Sequence, residues 1–587
     1  MNWSIALRLV LVFGSMTARG FVVNQNELGN DRHWDLVNLN PSVSTNVVNP
    51  TTRAIRYFLA ADAYSATNTD AELNAIRASF AQWHSIPGTL LKFEDAGLVT
   101  GVTDVNNLDN VNVIFWKKNG TSYFVDGELD NFFGALALTY VSVFDDNTIA
   151  EADTVINGTD YSWFTDFNAG NAFSYFIEAS VLHEIGHFVG LAHSPVGGAT
   201  MFARGATDIN PQAGLSADEI AAALFLYPQT GVRATLATLR GRVTLNGVAV
   251  MGAVITAENS AGNVVAGTVT RPDGRYELPA MPPGNYLVRA TPLDPNAGNS
   301  SAYLIRGIDI ASSFASALTD FLPTPNTPAT VAAGGTTTVD FAVASGTPFF
   351  RITRLRTPTP DPFRKVVVNV PVTVRLGESN LFVGVYSPNL PTQDATLTVT
   401  GDGLTIGPTI FEPNASPGLN LISVSIGVAS NATPGLRSFV IAQGTNLAYA
   451  NGFLEILPLF PDFNFDGLDD TFQRKYFPLF TAPEAAASAD PDHDGFTNAR
   501  EYGAGSDPTD PLSIHFNIQS VKLTANGTTI TFESGPGKGY QIYSRRDVAN
   551  DPWQPVGSPV IAAGEVTQFF DPAASDSMRF YRVQALP

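Results

Sequence analysis

HEIGHFVGLAH, residues 183–193, puts three of the chain's seven histidines within eleven residues, in a protein of 587 residues that has no cysteine. On a helix, side chains four positions apart share a face, so His183 and His187 point the same way, with Glu184 beside them. Gly190 follows three residues after His187. Glycine tolerates the left-handed conformation that ends a helix sharply, and the chain then turns to bring His193 back toward the first pair. Three neutral nitrogen ligands around one point describe a zinc site that keeps a fourth position for water. Zinc lowers the pKa of that water toward about 7, and Glu184 is placed to take its proton and pass it to a leaving amine.

The rest of the composition narrows the setting. A chain this long holds several domains of roughly 100–200 residues each. Fifty glycines and 39 prolines, with many Val, Thr and Asn, favour strands and turns. A net charge of −21 argues against nucleic acid or an anionic membrane as partner. The missing cysteine excludes disulfides, thiolate zinc sites and cysteine nucleophiles. MNWSIALRLVLVFGSMTARG (1–20) reads as a secretory signal peptide, and no later stretch is long and apolar enough for a transmembrane segment. A secreted, extracellular protein is the expectation.

Residues 21–232 mix helix and strand. AELNAIRASFAQWHSI (71–86) spaces Leu73, Ile76, Phe80 and Trp83 at helical intervals, and FSYFIEASVLHEIGHFVG (173–190) reads as one long apolar helix. NVNVIFW (110–116) and ALALTYVSVF (135–144) read as strands. LSADEIAAALFLYP (215–228) opens with a capping signal, Ser216 with Glu219, and stops at Pro228. Beyond it the helical period disappears. Residues 233–345 and 346–458 read as two β-sandwiches, 459–513 as an Asp-rich segment and 514–587 as a last β-sandwich module. The fold class is multidomain: an α+β catalytic domain followed by all-β sandwiches and a short calcium-loop segment, strung like beads.

On the zinc motif, residues 50–230 resemble the metzincin superfamily and, within it, the matrixin-like metalloproteases. Ser194 stands after the third histidine, and Met201, eight residues beyond His193, resembles the Met-turn that floors the zinc site. LSADEIAAALFLYP is similar to the family's last helix, with an acidic pair at Asp218-Glu219. The resemblance implies an endopeptidase acting on a protein or peptide substrate, with one catalytic Zn2+. Two departures follow. Leu138 stands where many animal matrixins have a histidine for a structural zinc, and latency by a propeptide cysteine is impossible.

DPDHDGFTNARE (490–501) fits a calcium loop at every fixed position: Asp490, Asp492 and Asp494 as carboxylates, Gly495 at the turn, the Phe496 carbonyl, Asn498, and Glu501 as bidentate acid. DFNFDGLDD (462–470) is a weaker relative with Asp462, Asn464, Asp466 and Asp470, and Gln473 where the bidentate acid belongs. Both resemble thrombospondin type 3 and dockerin-like repeats, which implies structural Ca2+ that stiffens a spacer. Residues from 237 resemble the carboxypeptidase regulatory-like fold, with Tyr276 and Tyr286 in its core. The 346–458 segment is similar to an immunoglobulin-like sandwich. These β modules carry no catalytic constellation; a surface or polymer ligand is the role left to them. The sequence reading is thus a secreted zinc-dependent endopeptidase. Its rivals are a surface- or matrix-binding protein with an inactive metalloprotease domain, and a structural spacer.

Overall fold

The computed structural model describes residues 22–25, 30–167, 173–207, 211–295, 304–305, 314, 317–513, 518–524, 526–534, 539–547, 550–564, 566–572 and 578–586. The chain divides into two compact units, residues 1–463 and 464–587.

The first unit begins with a five-stranded sheet of order β2-β1-β3-β7-β6. Its strands are β1 (Ile55–Ala60), β2 (Phe93–Val99), β3 (Val113–Lys117), β6 (Ala137–Val143) and β7 (Ile149–Asn157). A small hairpin of β4 (Ser122–Val125) and β5 (Glu128–Asn131) intervenes. β1, β2, β3 and β7 are parallel, and β6 runs antiparallel to β7 at the end of the sheet. Parallel strands need crossovers; the one after β1 carries α1 (Thr69–His84), whose Leu73, Ile76, Phe80 and Trp83 are buried at helical spacing. Against α1 lies α2 (Ile177–Phe188), the histidine helix. Trp83 Nε1 donates to the Leu182 carbonyl at 3.1 Å, and Phe80 stacks on Tyr57 with ring centroids 3.8 Å apart.

α2 is shorter than the apolar run suggests. Tyr175–Phe176 forms a short strand, β9, parallel to β8 (Trp163–Phe164), and the helix starts only at Ile177. Apolar period alone does not separate a buried strand from the first turn of a buried helix; here Phe176 packs on Phe164 and Phe167. α3 (Ala217–Leu226) has the full capping box: Ser216 accepts from its helix and Glu219 reaches back to the Ser216 N–H.

Residues 22–25 and 30–49 belong to the body of this domain. Val23 pairs with Leu191, and Trp34, Val47 and Val48 are buried in the core. Trp34 Nε1 donates to the Phe188 carbonyl at 2.9 Å; Tyr227 Oη accepts from Trp34 N–H and donates to the Val189 carbonyl at 2.7 Å.

Two sandwiches follow in the same unit. The first pairs β10 (Ala237–Leu245) with β11 (Val248–Ala249), β14 (Arg275–Met281), β17 (Thr336–Thr338) and β18 (Phe341–Val343). Facing it are β12 (Ala253–Asn259), β13 (Val264–Val269), β15 (Gly284–Pro292) and β16 (Thr327–Val331). Tyr276 and Tyr286 are buried, each with its hydroxyl donating to a carbonyl, of Val339 and Pro282. The second sandwich sets a six-stranded sheet, drawn from strands between Arg354–Thr359 and Leu419–Val428, against a four-stranded one that contains β27 (Gly435–Gln443) and β28 (Asn446–Leu457).

These modules are not independent beads. Arg289 of β15 and Glu258 of β12, both almost fully buried, form an ion pair at 2.6 Å. Arg289 also reaches Ser438 Oγ at 2.8 Å and Asn451 Oδ1 at 2.7 Å in the second sandwich, and lies over the Tyr449 ring. Among its described residues, the second unit holds two short α-helices, Asp470–Tyr476 and Asn498–Ala504, and two three-stranded sheets. Among the described residues, no helix is long and apolar enough to cross a membrane.

Candidate metal centre

α2 delivers His183 and His187 from successive turns. Gly190, at φ 103°, then reverses the chain. It has a second reason to be glycine, because a Cβ there would collide with the Arg32 carbonyl. The reversal brings His193 in: the ring centroids of the three histidines lie 4.8, 4.9 and 5.2 Å apart, and one nitrogen of each falls within 4.8 Å of the others. Nδ1 of His183 lies 2.7 Å from the Thr200 carbonyl, and Nδ1 of His187 lies 2.9 Å from that of Leu191. A carbonyl only accepts, so both Nδ1 atoms carry the proton and both Nε2 atoms keep their lone pair. Burial and the neighbouring His187 push His183 down to about 3, and burial lowers His187 as well. Neutral imidazoles with converging lone pairs are what zinc requires, so these residues fit the ion.

Glu184 is buried beside them. Thr139 of β6 donates to its Oε2 at 2.7 Å, and burial pushes the carboxyl up to about 7 despite that bond. A carboxyl near neutrality is suited to taking and returning a proton. Met201 is buried directly under α2: a Cβ on Gly186 would collide with its sulfur. Glu219 Oε1 accepts from Met201 N–H at 2.9 Å, and Ser194 Oγ donates to Asp218 at 2.7 Å, so the acidic pair of α3 secures both ends of the segment between His193 and Met201.

Thr139 and Gly186 carry no motif of their own. Gly186 does leave a trace, since glycine inside a helix costs about 1 kcal/mol relative to alanine and needs a reason. Leu138 lies partly buried against a small core with Tyr123 and Tyr140.

In the second unit, Asp490, Asp492 and Asp494 each bring one carboxylate oxygen within 4.8 Å of the others. Gly495 turns at φ 93°, its N–H on Asp490. Glu501 is buried nearby, pushed up to about 8 by burial and by the three aspartates. Asp490 Oδ1, Asp492 Oδ2, Asn498 Oδ1 and Glu501 Oε2 are buried with no hydrogen-bond partner. The 464–473 loop is closed differently. Gln473 donates its amide to Asp466 at 2.8 Å and to the Ala485 carbonyl at 2.8 Å, filling by hydrogen bonds the place where the bidentate acid would stand. Asp462 lies in the first unit, while Asn464, Asp466 and Asp470 lie in the second.

Comparison with known proteins agrees with this geometry. The family model described as Matrixin matches residues 49–228, so that stretch is a matrixin domain, of a zinc metalloprotease family. The model described as Carboxypeptidase regulatory-like domain matches residues 238–344. No curated protein aligns significantly with the chain. Among solved structures, a Salmonella alpha-2-macroglobulin mutant aligns over 58% of this chain and only 18% of its own, at 12% identity and TM-score 0.13. A Dpr2 Ig1-Ig2 complex with DIP-Theta Ig1-Ig3 aligns over 38% and 65%, at 9% identity and TM-score 0.12. Titin domains z1z2 in complex with telethonin align over 38% and 95%, at 14% identity and TM-score 0.11. At such scores these likenesses carry no argument.

Proposed function

We propose that the chain is an extracellular zinc-dependent endopeptidase. The observation that carries the reading is the convergence of three imidazoles, from His183, His187 and His193, beside a buried carboxyl. Zinc held there would supply a Lewis acid that polarises a peptide carbonyl and acidifies water. Glu184 is the general base: held at Oε2 by Thr139, it accepts a proton from the attacking water and returns it to the departing amine nitrogen. Export is read from the first twenty residues.

The substrate enters as an added strand. Among the described residues, β6 pairs on one side only, with β7. Asn157 N–H bonds the Leu136 carbonyl at 2.9 Å, which sets the phase of that ladder. Backbone groups of Leu138 and Tyr140 face β7, and those of Ala137, Thr139 and Val141 face the open edge. An extended peptide laid along that edge passes Thr139, and therefore Glu184. Such main-chain recognition binds many sequences.

The 490–501 loop is read as a calcium site. Its support is the set of buried oxygens without partners among mutually repelling carboxylates, an arrangement that a hard cation relieves. The 462–470 loop receives no such reading, because Gln473 already occupies its centre.

The test is hydrolysis of casein by the purified chain, beside Glu184→Ala and beside chelator-treated protein refilled with zinc, with calcium present throughout. Hydrolysis lost in the variant and after chelation, and restored by zinc, supports the reading. Hydrolysis that persists in Glu184→Ala, or none at all from chain carrying one zinc, rejects it.

A further inference from the structure

Between His193 and Thr200 the chain has six residues, and both ends of that stretch serve the metal centre. His193 contributes a ligand nitrogen, and the Thr200 carbonyl orients His183. The residues between them leave the protease domain and enter the cleft between the two sandwiches. Val196, fully buried, shares a small core with Ala199 of its own loop, Val264 of the first sandwich and Leu436 of the second. Gly197 N–H donates to the Asn451 carbonyl of β28 at 2.9 Å. A Cβ on Gly197 would collide with the Phe453 ring, and one on Gly198 with Leu436. From the other side, a Cβ on Gly267 or on Gly452 would collide with Val196. Asp218 ties the start of the stretch to the first sandwich: it accepts from Ser194 Oγ and, at 2.8 Å, from Gly267 N–H of β13. Phe202, just past the Met-turn, packs edge-on against Phe453 at 5.2 Å.

We propose that the two sandwiches are positioning elements of the zinc site, fixing His193 and the Thr200 carbonyl by gripping residues 195–198. The inference rests on the metal-centre reading and goes beyond it. The modules behind a matrixin domain are then part of its catalytic apparatus without touching substrate. At four glycines, two in the loop and two in the sandwiches, an added Cβ would collide across the junction, and shape complementarity of this kind leaves no room for even one methyl group.

The experiment uses the full chain with Gly197→Ala, Leu436→Ala and the double variant Gly197→Ala/Phe453→Ala. Zinc affinity is measured by competition with a chromogenic chelator, and kcat and KM on a casein-derived peptide. Loss of a group that orients a metal ligand typically costs 10–100-fold in affinity. Gly197→Ala is expected to weaken zinc binding at least ~10-fold and to lower kcat with KM nearly unchanged. The double variant, which removes the colliding ring, recovers most of both. Leu436→Ala opens a space without a collision, so it loosens the grip by a route independent of Gly197→Ala, and it is expected to weaken zinc binding in the same direction. Wild-type zinc affinity in Leu436→Ala, or in a folded Gly197→Ala, overturns the proposal. If the wild-type chain binds zinc and cleaves nothing, the endopeptidase reading falls, while the zinc arm still decides this one.

Discussion

At the scale of single residues, the site depends on partners that have no motif. Thr139 donates its hydroxyl to Glu184 Oε2 at 2.7 Å. A hydrogen bond to a charged group contributes about 1.5–3 kcal/mol. Thr139→Val, equal in shape, is therefore expected to lower kcat on the order of tenfold, with KM and zinc content unchanged; steady-state kinetics with metal analysis checks it. Asp218 behaves differently, since burial and the adjacent Glu219 push it up to about 8. A carboxyl whose folded pKa lies above its unfolded value contributes stability that is complete below the unfolded value, near pH 4, and lost as pH rises through about 8. The melting temperature is expected to fall between about pH 4 and pH 8, and Asp218→Asn to flatten that slope. An equal slope in both proteins would contradict the assignment. The histidines and Glu184 were legible in the sequence because metal chemistry fixes their spacing. Thr139 was not, because it comes from another strand, 45 positions away.

At the scale of elements, the open edge of β6 makes a separable prediction. Val141 N–H faces outward by the ladder phase, so Val141→Pro removes a donor to substrate and none to β7. It is expected to raise KM for peptides several-fold with little change in melting temperature, whereas Tyr140→Pro breaks the sheet itself and lowers the melting temperature. Circular-dichroism melts beside kinetics separate the two; similar thermal losses would mean that the phase is misassigned. Most elements could be read directly: α1 from its buried period, α3 from its capping box, the strands from their apolar runs. The start of α2 could not be, because Tyr175 and Phe176 are apolar in either conformation and their pairing with Trp163 and Phe164 is a tertiary fact. Residues 22–49 carry no periodic signal at all, yet Trp34 closes the far end of α2 through one hydrogen bond to the Phe188 carbonyl and another to the Tyr227 hydroxyl.

At the scale of the molecule, the proposed calcium loop and the proposed zinc centre belong to different units. Saturating calcium is expected to raise the thermal transition of residues 464–587, by about 2.7 kcal/mol at 100 times the dissociation constant. That is roughly 10 °C for a domain of that size, and EGTA reverses it. Calorimetry that shows no calcium-dependent shift, or a shift that survives Glu501→Gln, sinks the assignment. What the sequence could not disclose was the joining of modules, because contact between surfaces distant in the chain leaves no period and no motif. Arg289 makes the consequence concrete. Its guanidinium is completed by Glu258 from its own sandwich and by Ser438 and Asn451 from the next. A foreign sandwich in that place would leave a buried cation short of acceptors, a defect of several kcal/mol. Recombination that shuffles modules one at a time would therefore be penalised at this junction, and the two sandwiches would be inherited as a single block.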